Sequence, residues 1–259
     1  MELGLKGKKA IVCASSRGLG RGCAFALAKE GVSLVVNGVD PGRIARAADE
    51  IAQQTGVTVT PVAADLDNPE GRAAILEACP DPDILINNNG GPPPGNFREW
   101  GPEEWNAGLT ANLLVPTELI RATVDGMVER GFGRIVNITS IAVRTPFPGL
   151  AMSSASRSAL TALVATVSRE VASHDVTINN LQPGIFETDR MLTGLKGAAK
   201  ATGRSLEETR AGMLSNIPVG RFGNTDEFGH ACAFLCSTHS GFITGQNLLI
   251  DGGHFPGVF

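Results

Sequence analysis

The chain is 259 residues long, 42% apolar and 19% charged, with 32 glycines, which suits one large α/β core or two small ones. A formal net charge of −4 leaves no basic footprint for nucleic acid or for an anionic membrane surface. There are 11 phenylalanines and 2 tryptophans but no tyrosine, so no phenol is available as an acid or base.

Along the chain, short β-branched or apolar runs alternate with longer segments of helical period. Ala10–Cys13 reads as strand and Leu19–Glu30 as helix; Ser33–Asn37 is strand, and Pro41–Gln54 is a helix with proline in its first turn. Val57–Val62, Glu70–Ala78 and Ile84–Asn87 continue as strand, short helix and strand. Pro102–Arg130 is helical and broken near Thr110, and Gly133–Ile138 is strand. Ser153–Ser173 (helix), Thr177–Leu181 (strand), Thr225–Cys236 (helix) and Asn247–Ile250 (strand) complete the series. Alternation of this kind predicts parallel βαβ units with right-handed crossovers, a single doubly wound α/β domain over 1–259. An insertion at about 190–216, least regular over Met191–Asn216, reads either as a mobile flap over a site or as an ordinary helical excursion.

Of five cysteines, four lie in patterned apolar segments, as reduced thiols of a cytoplasmic protein would. Met1–Lys9 has no apolar export signal, and no uncharged apolar run approaches the ~18 residues of a membrane span.

The first strand is followed by Cys13-Ala14-Ser15-Ser16-Arg17-Gly18-Leu19-Gly20. A glycine-rich turn opening a helix lets the backbone approach a pyrophosphate, which meets free N–H groups and a positive dipole end. Asp65-Leu66 follows the third strand, where the acid can accept from an adenine amine. Asn87-Asn88-Asn89-Gly90 ends the fourth, and Pro183-Gly184-Ile185-Phe186-Glu187-Thr188 ends the sixth. All lie where doubly wound sheets hold dinucleotides.

These motifs, with Asn112 in Ala-Asn-Leu, Ser140 in Val-Asn-Ile-Thr-Ser and the terminal Asp251-Gly252-Gly253, resemble those of the short-chain dehydrogenases/reductases, over essentially the whole chain. The resemblance implies a seven-stranded parallel sheet, a nicotinamide cofactor and a homotetramer built on the Thr110–Arg130 and Ser153–Ser173 helices. It implies cofactor contacts from Ser15, Ser16, Arg17, Gly18, Leu19, Gly20, Asn37, Gly38, Asp65, Leu66, Asn87, Asn89, Gly90, Arg157, Pro183, Gly184, Phe186 and Thr188. Gly38 closes the second strand without an acid and Arg17 supplies a cation, so NADP(H) is favoured; Asp40, in reach of the ribose, keeps NAD(H) open.

The family's tyrosine and lysine fall on Ser153 and Arg157, in the register fixed by Ser158-Ala159-Leu160. A register one residue later would pair Ser154 with Ser158 and leave no cation. Phenols titrate near about 10 and can be tuned by a cation, whereas a serine hydroxyl is far less acidic. Arginine keeps the charge but releases no proton at neutral pH. The sequence resembles a divergent subgroup similar to 3-oxoacyl-carrier-protein reductases, with Asn112, Ser140, Ser153 and Arg157 at the catalytic positions. Hydride transfer between NADP(H) and a small carbonyl or alcohol is the expected activity; the alternative is an NADP(H)-binding sensor or oligomer partner without turnover.

Ala14 stands where the family has a glycine, which is tolerable if its φ stays negative. Arg144 and Arg190, in loops bordering the pocket, either bind an acidic substrate or are solvated loop cations. His254 either reaches a neighbouring pocket or packs the tail. His174 reads as a helix C-terminal cation or a surface residue, and the resemblance places His230 and His239 at a late helix remote from the site. Cys232, Cys236 and His239 share a helical face, which reads as core packing rather than a metal site.

Overall fold

The computed structural model describes residues 2–258. Seven strands form one sheet: β1 (Lys9–Val12), β2 (Ser33–Gly38), β3 (Val59–Ala63), β4 (Ile84–Asn87), β5 (Gly133–Ile138), β6 (Val176–Pro183) and β7 (Asn247–Ile250). Their order is β3-β2-β1-β4-β5-β6-β7, and every pairing is parallel. This is the doubly wound architecture expected from the strand–helix alternation.

The sheet is covered on both faces because its central strands are apolar on both. Ala10, Val12, Leu34, Val36, Ile84 and Ile86 face one layer, built from α1 (Gly18–Lys29), α2 (Pro41–Thr55) and α9 (Thr225–Cys236). Ile11, Val35, Leu85 and Ile135 face the other, built from α3 (Pro69–Ala78), α5 (Val115–Arg130) and α6 (Ala151–Val171). The alternation follows the period-2 geometry of a strand. Helix α2 shows how sequence sets an element. Asp40 caps its N-terminus by accepting from Arg43 N, Pro41 starts it, and Gly56 ends it at φ +76°. Its buried residues Ile44, Ala47, Ala48 and Ile51 follow helical spacing. At the edge, β3 carries Pro61, tolerable where one side of a strand has no partner.

The helical segment expected over Pro102–Arg130 is divided into α4 (Pro102–Leu109), a π-helical turn (Thr110–Leu114) and α5. Pro116 has no N–H, so the Asn112 carbonyl lacks its usual donor four residues on. The Val115 N–H instead donates to Thr110 O, five residues back. The break near Thr110 therefore has a local cause.

Of the two readings of the 190–216 stretch, the helical excursion is the one found. The stretch at 190–216 is mostly helical: α7 (Asp189–Thr202) and α8 (Leu206–Leu214) occupy it. Thr188 caps α7, and Ser205 with Glu208 forms a capping box on α8. Its glycines sit inside or just after these helices, which is why they read as loop. No helix among the described residues is long and apolar enough to cross a membrane.

Candidate active site

The strand order reverses between β2-β1 and β4, and the glycine turn lies at that switch point, beyond the carboxyl end of β1. Gly18 adopts φ +59°, and the position a Cβ would take on Gly20 coincides with the Ala14 carbonyl oxygen. Ala14 itself has φ +44°, so the condition under which alanine is tolerated without strain is not met. The turn is pinned on both sides of that residue: Ala14 N donates to Asn37 Oδ1 at 3.3 Å, and Asn88 Nδ2 donates to Ala14 O at 3.3 Å. Left-handed backbone costs an alanine about 1–2 kcal/mol, offset partly by glycine's larger unfolded-state entropy. We expect Ala14→Gly to stabilise the protein by about 0.5 kcal/mol in urea unfolding, with the turn unchanged.

Several residues expected to touch the cofactor also hold the scaffold together. Asn37 is buried, and its amide also donates to Val62 O and Ala64 O at 3.2 and 2.9 Å. Ser15 is buried, donates to Val12 O at 2.7 Å and accepts from Asn37 N at 3.1 Å. Leu66 belongs to the core, and the Phe186 ring packs edge-on against Phe228 with centroids 5.3 Å apart. Asp65 accepts from Asp67 N and Asn68 Nδ2, shaping its own turn. Asp40 is committed to its cap, which holds its pKa below the ordinary carboxylate value.

Ser16 lies against Gly38, and Thr188 is 3.7 Å from the position a Cβ would take on Gly18, while Leu19, Gly90, Pro183 and Gly184 are not fully buried. Arg17 crosses the cleft mouth to Asp189 at 3.3 Å, a pair exposed at both ends.

Four asparagines form a ladder across the sheet that depends on register. Asn87 pairs with Asn137, Asn137 with Asn180, and Asn180 with Asn247. Their amides donate in the same sequence, at 2.9, 3.2 and 2.8 Å. Of these only Asn87 was singled out beforehand. A polar residue within the apolar run of β5 was the available signal for Asn137.

The ladder ends in a pocket lined by Asn87, Asn88, Asn89, Asn112 and Arg157. Asn87 Oδ1 and Asn112 Oδ1 are buried without a donor from the chain. Such acceptors need a water or ligand, so this lining fits a polar guest. Asn89 bridges Asp67 Oδ1 at 2.8 Å and Ala111 O at 3.3 Å, tying the β4 loop to the π turn.

On α6, Ser153 and Arg157 are one turn apart, as the i,i+4 spacing requires. Arg157 Nε donates to Ser153 Oγ at 3.2 Å, and Nη1 donates to Ile138 O at 2.6 Å. Burial, and then the nearby charge of Arg190, pushes the Arg157 guanidinium down to about 10. It stays a cation at neutral pH. Ser140 Oγ accepts from Ala142 N at 3.0 Å. Both hydroxyls thus have an oxygen lone pair engaged by N–H, which leaves their protons available to an incoming oxygen.

The remaining candidates have other tasks. Arg144 donates to Gln182 Oε1 at 2.7 Å and Asn247 O at 2.9 Å, clamping β6 to β7. His254 lies 5.9 Å from the Phe147 ring, centroid to centroid, with no bond to the site hydroxyls. His239 Nε2 lies 2.7 Å from Glu2 O, and His174 is bonded to Ser173. All five cysteines are buried free thiols, and no metal-competent group occurs among the described residues.

This switch-point cleft, glycine turn and polar pocket define a Rossmann-type domain of the kind that holds dinucleotides. The chain belongs to the short-chain dehydrogenase/reductase family; the family model described as enoyl-(acyl carrier protein) reductase matches residues 13–254. It is 32% identical over 257 residues to the 3-oxoacyl-[acyl-carrier-protein] reductase FabG of Vibrio cholerae, covering 98% of this chain and 99% of that protein. The NADPH-dependent reductase BacG of Bacillus subtilis is 29% identical, over 97% of this chain and 99% of its own. Among solved structures, L-sorbose reductase from Gluconobacter frateurii, complexed with NADPH and L-sorbose, superposes with a TM-score of 0.94 at 28% identity, over 100% of both chains.

Proposed function

We propose that this chain is an NADP(H)-dependent oxidoreductase that moves hydride between the nicotinamide and a carbonyl or alcohol carbon. The observation that carries the reading is the pair of hydroxyls, Ser140 and Ser153, each accepting an N–H bond and so keeping its own proton free to donate. NADP(H), when bound, supplies or receives the hydride. Ser140 orients the carbonyl, while Ser153, polarised by Arg157, stabilises the negative charge that develops on its oxygen. Neither serine replaces the phenol as a proton store, so the final proton comes from water, held at Asn112 and Asn87. Arg157 holds the cofactor ribose with its remaining donors. Arg17 and the acid-free end of β2 favour a 2′-phosphate, in line with the NADPH of the related reductases.

A cytoplasmic homotetramer built on the Thr110–Arg130 and Ser153–Ser173 helices belongs to the same reading, which the family resemblance supports. Stopped-flow oxidation of NADPH against ketones and 3-oxoacyl thioesters tests the activity. Turnover with NADPH, and about a ten-fold loss of its advantage over NADH in Arg17→Ala, is expected. Tight NADPH binding without oxidation on any substrate would leave a cofactor-binding protein instead.

A further inference from the structure

Arg157 and Arg190 are cations without a counter-charge in a chain that is acidic overall. Among the described residues neither guanidinium lies within ion-pair reach of a carboxylate, whereas Arg17, Arg21, Arg72 and Arg134 all do. Two acids of the neighbouring segments are engaged elsewhere. Asp189, adjacent in sequence to Arg190, faces Arg17, and Asp67 accepts from Asn89. Arg190 Nη2 donates to Pro92 O at 3.2 Å, and its guanidinium lies against Gly91, 2.8 Å from where a Cβ would stand. That places it just past Asn89, which shares the pocket with Arg157. Arg190 as a whole is exposed, yet the part of it against the loop is desolvated enough to lower its pKa. Arg157 is buried, at 9% exposure, with only a hydroxyl and a carbonyl as partners.

A buried guanidinium answered only by neutral acceptors is costly, and a second cation nearby adds repulsion. Both costs fall when an anion enters. A neutral sugar or ketone would leave them in place.

We propose that the substrate of this site carries an oxyanion group, a carboxylate, that pairs with Arg190 and is favoured there by the uncompensated charge of Arg157. The word substrate rests on the oxidoreductase reading; the anion site stands on the two guanidiniums alone. Short oxo acids are then selected over neutral ketones, because only they neutralise the pocket. The cofactor pyrophosphate is the competing oxyanion for Arg190, and the test separates the two.

The probe is malonate, a carboxylate with no reducible carbonyl, titrated calorimetrically into the full chain saturated with NADP⁺ at low ionic strength. Saturable binding is expected, weakened about ten-fold or more in Arg190→Met and partly restored in Arg190→Lys. NADPH affinity should stay within about two-fold in both variants. Absence of malonate binding to the NADP⁺ complex, or equal affinity in Arg190→Met, would overturn the proposal. So would a loss of NADPH affinity in Arg190→Met with malonate bound only to cofactor-free protein, which would assign Arg190 to the pyrophosphate. Since heat of binding is the readout, a failure of carbonyl reduction would remove the oxidoreductase reading and leave the anion site standing.

Discussion

Ser153→Ala is expected to lower kcat for NADPH-driven carbonyl reduction by about 100-fold, the loss that follows removal of one preorganised donor to a developing oxyanion. NADPH affinity should change little, because Arg157 keeps its bond to Ile138 O. The pH profile gives an independent check. No phenol titrates in this site, and Arg157 loses its proton only around 10. Burial lowers the folded-state value from that of a free guanidinium, so the charged form persists below about 10 and is lost as pH rises through it. Wild-type kcat should therefore be flat from about pH 6 to 9 and fall above about 10. A limb near neutrality, or full activity in Ser153→Ala, would show that another group handles the substrate oxygen.

Asn137→Ala should destabilise the protein by about 3 kcal/mol, because it strands a buried donor on Asn87 and a buried acceptor on Asn180. For a chain of this size that corresponds to a fall in Tm of roughly 6–12 °C. NADPH affinity should fall with it, since Asn87 lines the pocket and depends on Asn137 to fix its amide. Unchanged cofactor binding in a destabilised Asn137→Ala would confine the ladder to a structural role.

The strands, the helices and the cleft could be read from the chain because each rests on local chemistry: apolar runs, helical spacing, a glycine turn, Pro41 and Pro116. The Ser153–Arg157 contact was legible too, since i,i+4 spacing on one helix brings the two side chains together. What could not be read depends on relations between segments. The asparagine ladder exists only through the pairing of four strands distant in sequence. Asn37 and Phe186 occupy positions next to a cofactor site, but which way their side chains turn is decided by packing against Ala64 and Phe228. Ala14 shows that tertiary anchoring, here through Asn37 and Asn88, can hold a residue in backbone space its own chemistry disfavours. The 190–216 stretch was obscured by its glycines, which weaken helical propensity without abolishing it.

The Arg17–Asp189 bridge bears on how cofactor traffic responds to its surroundings. An exposed pair is worth less than about 1 kcal/mol and re-forms on the timescale of side-chain motion, so it sets no kinetic threshold for entry or exit. A phosphate that takes Arg17 displaces Asp189, and one screened attraction is exchanged for another. Salt weakens both sides of that exchange. If Arg17 takes the cofactor phosphate as proposed, cofactor affinity is buffered against changes in ionic strength to a degree that an unpaired arginine at the same place would not provide.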